Sequence, residues 1–133
     1  MKYILDTHSF LWSIFDTSKL PANIREVLSN TDNDIYVSSI TFWEISLKYS
    51  IGKLSLENIQ PEKLPKTARK SGFEILPIDE IITSSFYKLP KYGHTDPFDR
   101  LLIWQAINLN YTVISKDSAF DNYVKNGLKV LWD

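Results

Sequence analysis

Five short apolar runs punctuate this chain at wide intervals, and the stretches between them carry helical spacing. The runs are Tyr3-Ile4-Leu5, Ile35-Tyr36-Val37, Phe73 to Leu76, Thr112 to Ser115 and Val130-Leu131-Trp132. Each is too short for a helix, and together they read as buried strands. The first helix is predicted from His8 to Phe15, where Leu11, Trp12 and Phe15 share a face. Pro21 suits the first turn of a second helix, which ends near Asn30. A third runs from about Thr41 to Ile51 and stops at Gly52, and a fourth spans Lys63 to Ser71 ahead of Gly72. Asp79 caps a helix running towards Lys88, and Pro97 opens a long one to about Leu109.

Strands that alternate with helices imply an α/β fold with a mostly parallel sheet. In such sheets, ligands bind beyond the carboxyl ends of the strands. Asp6 follows the first run directly, and Asp117 follows the run ending at Ser115. Both acids are therefore expected where this architecture makes its sites. No linker, repeat or low-complexity stretch divides the 133 residues, so residues 1–133 are expected to form a single domain.

Glu44 and Asp99 strengthen the reading. The third helix carries Ile40, Trp43, Leu47 and Ile51 on one stripe, and Glu44 is expected on that same core-facing stripe. A carboxylate there is costly unless something compensates it. The bland alternative is a capping box, Thr41-x-x-Glu44. Asp99 heads the stripe of Leu102, Ile103 and Ala106, and its alternative role is a favourable charge in a first helical turn. Asp96 precedes Pro97 and suits an N-cap at least as well as a site, and Asp6 and Asp117 could each cap the turn that follows them.

Absences narrow the chemistry. With no cysteine, disulfides, thiolate zinc sites, iron–sulfur clusters and cysteine nucleophiles are excluded. His8 and His94 are isolated, without the HExxH spacing of a zinc protease. The four glycines form neither a dinucleotide fingerprint nor a P-loop, and no G-x-S-x-G elbow is present. Asp6 breaks the first apolar run too early for a signal peptide, and no stretch is long enough to span a membrane, so the cytoplasm is the expected location. Hard carboxylate oxygens select Mg²⁺ or Mn²⁺ over zinc. The formal charge of −1 counts modestly against a nucleic-acid partner. Lys63, Lys66, Arg69 and Lys70 share one side of the fourth helix, either as a phosphate-tracking face or simply as a solvated one. Lys48 reads as an i,i+4 partner of Glu44.

Four segments also carry a family resemblance: Leu5-Asp6-Thr7-His8, Trp43 to Lys48 (W-E-I-S-L-K), Asp96 to Ile103 (D-P-F-D-R-L-L-I), and Ser115-Lys116-Asp117. In this order and spacing, the chain resembles the PIN-domain ribonucleases, and most closely the VapC-type toxins of toxin–antitoxin pairs. The resemblance implies a three-layer α/β/α fold and metal-dependent cleavage of RNA. It also implies a VapB-type antitoxin partner, with assembly as a homodimer or a toxin–antitoxin hetero-oligomer. Carried over position by position, the catalytic and metal-binding acids are Asp6, Glu44, Asp99 and Asp117, with Asp96 as an extra acid. Thr7 and Ser115 would support them by hydrogen bonding. The analogy further suggests that an antitoxin segment docks against Trp12, Phe15, Trp43 and Tyr49, which could equally be core. Two other classes compete. One is a non-catalytic RNA- or protein-binding module on the same fold. The other is a phosphoacceptor receiver domain, which Lys116 fits loosely but which needs an acid that Val37-Ser38-Ser39 lacks.

Overall fold

Side chains alternate across each strand, and in the inner strands both sets are buried over residues 3–5 and 112–114. Tyr3 and Leu5 of β1 (Lys2–Leu5) pack to one side of the sheet, with Ile35 and Val37 of β2 (Asp34–Ser38), while Ile4 packs to the other. The computed structural model describes residues 1–133. It places five strands in the order β3-β2-β1-β4-β5, where β3 is Glu74–Leu76, β4 Thr112–Ile114 and β5 Lys129–Leu131. Every pairing is parallel, so the expected mostly parallel sheet is wholly so.

Six α-helices connect the strands: α1 (Thr7–Phe15), α2 (Ala22–Ser29), α3 (Ser39–Ser50), α4 (Leu64–Lys70), α5 (Glu80–Ser85) and α6 (Pro97–Leu109). One core layer joins the sheet to Phe10 of α1, Ile24 of α2, Ile45 of α3 and Leu64 and Ala68 of α4. The opposite layer holds Leu102, Ile103 and Ala106 of α6 with Phe120 and Tyr123 of the 3-10 segment Ser118–Asn126. The arrangement is a three-layer α/β/α fold.

The strand order positions the site. The chain steps outward from β1 to β2 and β3, then returns to lay β4 along the other side of β1. This reversal opens a crevice at the carboxyl ends of β1 and β4, the usual ligand position in open parallel sheets. The amide of Asp6 donates to Ile114 O at 3.1 Å, so pairing of the two strands continues to the lip of the crevice. Buried Gln105 links three elements behind it. Its Oε1 accepts from Ser38 Oγ at 2.7 Å, and its Nε2 donates to Pro77 O at 3.1 Å.

Helix α3 departs from expectation in two ways. It begins at Ser39 with Ser38 as its cap, accepting from the Ile40 amide at 3.2 Å, so Thr41 lies inside the first turn and no Thr41–Glu44 capping box forms. Its expected core stripe is also wrong. Trp43, Leu47 and Ile51 are exposed, at 59%, 40% and 58%, while the buried face is Ile40, Thr41, Glu44 and Ile45. Successive helical residues are about 100° apart, so Glu44 points inward because Trp43 points outward.

Candidate active site

Asp6, Thr7 and Ser9 stand where β1 gives way to α1. Asp6 is buried and caps that helix, its Oδ1 accepting from the Ser9 amide at 2.8 Å. Burial pushes its carboxyl above the ordinary 3.8, while the neighbouring Ser115 and Ser9 hydroxyls and the hydrogen bond from the Ser9 amide pull it back. Thr7 follows directly and donates Oγ1 to Glu44 Oε1 at 2.6 Å, tying α1 to α3. The other Glu44 oxygen, Oε2, accepts from the Lys48 ammonium one turn along the same helix. Both oxygens of this buried side chain are thus bonded.

On the Lys48 side, burial works to lower the ammonium's pKa. The hydrogen bond and charge of Glu44, joined by the charges of Asp96 and Asp99, outweigh it and raise the value.

The opposite wall is the head of α6. Asp96 is the N-cap, its Oδ1 accepting from the amides of Phe98 at 2.9 Å and Asp99 at 3.3 Å. Asp99, one turn in, lacks such support. Its carboxyl is pushed up to about 8, first by burial and then by the negative charges of Asp96, Glu44, Asp6 and Asp117. Four acids therefore act on the position of a fifth. Asp117 is exposed and caps the 3-10 segment through the Ala119 amide at 2.9 Å, and Ser115 Oγ accepts from the Asp117 amide at 3.1 Å.

Asp6, Asp96 and Asp117 each cap the turn that follows them, and each spends only Oδ1 on that task. Capping and site roles are compatible. The donor chemistry suits a hard divalent cation, because the converging oxygen donors are carboxylates and their mutual repulsion outweighs what compensates it at Asp99. As placed, no three acidic or histidine side chains make a ready cage for an ion, so closing on one requires side-chain rotation.

Two residues gain importance over their reading in sequence. His94 is not isolated, since its buried Nε2 stands 3.5 Å from Asp99 Oδ2 with no hydrogen-bond partner, and its ring packs on Phe120 and Tyr123. Its place two residues before Asp96 was the available signal. Arg100, within the D-P-F-D-R run, is buried and donates to Leu89 O at 2.9 Å over the Phe86 ring, which makes it a scaffold residue.

A profile described as PIN domain matches residues 3–126, nearly the whole chain. The chain belongs to the PIN-domain family. Among solved structures, its fold is similar to that of VapBC2 from Rickettsia felis bound to a promoter DNA fragment, at 24% identity and TM-score 0.70, with 100% of each chain covered. VapBC-1 from nontypeable Haemophilus influenzae is similar at 22% identity and TM-score 0.70, covering 98% of this chain and 97% of that one. VapBC-5 from Mycobacterium tuberculosis, a member of the VapBC family of toxin–antitoxin systems, matches at 17% identity and TM-score 0.60, covering 99% and 98%. No curated protein matches the chain in sequence. No helix is long and apolar enough to cross a membrane.

Proposed function

We propose that this PIN domain, a single domain over residues 1–133, is a metal-dependent endoribonuclease and the toxin of a VapBC-type pair, acting in the cytoplasm. PIN domains are generally nucleases, which supports the reaction class. The observation that carries the reading to this chain is the field at Asp99, where Asp96, Glu44, Asp6 and Asp117 all press on one half-buried carboxyl. Natural folds keep such unfavourable clusters where function requires them.

In this reading, Asp6, Glu44 and Asp99 hold Mg²⁺ or Mn²⁺, Asp117 completes the set, and Asp96 serves first as the cap that aims Asp99. Such an ion, when bound, supplies an acidified water and polarises a phosphoryl oxygen. Thr7 fixes the Glu44 carboxylate by its hydrogen bond, and Ser115 sits behind Asp6 and Asp117. The test is cleavage of RNA by purified protein with Mn²⁺ or Mg²⁺ and with EDTA. Activity should require the ion, and Glu44→Gln or Asp99→Asn should each lower it by about a hundredfold or more, roughly 3 kcal/mol. Undiminished cleavage by both variants would remove these acids from the mechanism. Absence of any ion-dependent cleavage would leave a non-catalytic binding module.

The VapBC composition of the structural relatives supports a VapB-type antitoxin as partner. The outer face of α3 suits its docking. Trp43 is exposed, packs edge-on against Phe98 at 5.0 Å, and lines an apolar groove with Ile40, Phe86, Pro97 and Leu101. Phe15 and Tyr49 are also exposed, at 43% and 41%, whereas Trp12 is half-buried against Trp132. An amphipathic segment laid on α1 and α3 would cover these rings. A structure of the complex in which the antitoxin touches neither helix would overturn this docking mode.

A further inference from the structure

We infer that Lys48 is the resident counter-ion of the acidic crevice, competing with the divalent cation for Glu44. The inference rests on the cation-site reading above and adds a residue that regulates it. Glu44 is almost fully buried, and its two oxygens are taken by Thr7 and Lys48. Thr7 is an uncharged donor on one oxygen, so it leaves the carboxylate's negative charge in place. Lys48 brings a full positive charge to the other oxygen, and its field reaches Asp96 and Asp99 as well. A divalent ion approaching Glu44 Oε2 meets this ammonium first.

The geometry also provides the way out. The Lys48 side chain is 33% exposed against 4% for Glu44, so the ammonium can leave to water on its flexible stem while the carboxylate stays put. No other basic side chain is bonded to Glu44. In the absence of an ion, the Glu44 charge is therefore already balanced from within its own helix. An ordinary helix-surface i,i+4 pair joins two solvated groups and is worth little. Here one partner is buried in the crevice, and a buried carboxylate without a counter-charge is costly. The pair thus holds the ion-free protein together and sets a threshold for ion binding.

The test is calorimetric titration of Mn²⁺ into the full chain without RNA, for wild type, Lys48→Met, Lys48→Gln and Lys48→Arg. The glutamine variant can still donate a hydrogen bond to Glu44 without charge, which guards against a methionine variant that does not fold. Both neutral variants should bind Mn²⁺ more tightly, on the order of tenfold, as expected when one unit charge leaves a partly solvated site. The arginine variant should stay near wild type. If Lys48 merely orients Glu44 for the ion, the sign reverses and the neutral variants bind more weakly. Equal or weaker binding in the foldable neutral variants, with wild-type binding intact, overturns the counter-ion role. If neither wild type nor any variant binds Mn²⁺, the cation site itself fails and the inference falls with it.

Discussion

The two walls of the crevice handle their acids in opposite ways. On the α3 wall, Glu44 has a partner for each oxygen, a hydroxyl from Thr7 and an ammonium from Lys48. On the α6 wall, Asp99 has four acids acting on it, the His94 imidazole at 3.5 Å, and no bonded counter-charge, Lys48 reaching it through its field alone. The first wall has its hydrogen bonds and charge satisfied, whereas the second keeps a carboxyl whose ionisation burial and neighbouring charges oppose. Burial alone does not explain the contrast, since Glu44 is the more buried of the two. What separates them is whether burial comes with a counter-charge. A cation would relieve the α6 wall and disturb the α3 wall.

Beyond the loss of cleavage expected of Glu44→Gln and Asp99→Asn, this contrast can be measured as stability. The largest effect should come from Asp99→Asn in EDTA. With the folded value near 8 and the ordinary value 3.8, the folded protein retains a proton that the unfolded chain releases. The wild type therefore loses stability from this group as pH rises from about 4 to about 8, and asparagine removes that loss. The variant should be the more stable protein, by a margin that widens from pH 5 to pH 8. After relaxation of the site, the margin should reach roughly 2–4 kcal/mol at the upper end. Saturating Mg²⁺ should narrow it by stabilising the wild type. Denaturant melts at both pH values check this. A variant less stable than wild type throughout would mean that Asp99 serves only as a first-turn charge and that the wall carries no strain.

The satisfied wall should respond with the opposite sign and a smaller size. Thr7→Val keeps the side-chain shape and removes the donor to Glu44 Oε1, so it should cost about 1–2 kcal/mol. Its effect should change little between pH 6 and pH 8. The same melts measure it, and a neutral or stabilising result would show that Lys48 alone suffices to hold Glu44.

Much of this was legible in the sequence because the relevant signals are local. The five apolar runs became the five strands, and Asp79, Asp96 and Pro97 mark helix starts through chemistry confined to one turn. Asp99 on the stripe of Leu102, Ile103 and Ala106 was read correctly, since that helix face is covered by the sheet. Helix α3 was misread because its apolar residues do not all face the core. Trp43, Leu47 and Ile51 form a plausible stripe in sequence yet lie outside, while the inner face is fixed by a bond from Thr7, 37 positions earlier. Periodicity carries no trace of such a long-range partner. The two walls illustrate the same limit, because both acids were identifiable by residue type while their different states depend on what the fold brings beside them.

The pairing of β1 with β4 has a consequence for the order of events in folding. Ser9 Oγ donates to Ile114 O across 105 positions, and Asp6 and Asp117 meet only when that span is closed. The strands β1, β2 and β3 can be laid down in the order of synthesis, but β4 must return past two of them to reach its place. Long-range parallel pairing of this kind is slow, since the entropy of closing the span is lost before contacts repay it. At about 5–20 residues per second, a growing chain spends several seconds with Asp6 and Glu44 already made and Asp117 still absent. The crevice is therefore closed late, and a chain halted before Ile114 carries Asp6, Glu44, Asp96 and Asp99 but lacks both Asp117 and the strand that seats the two walls against each other.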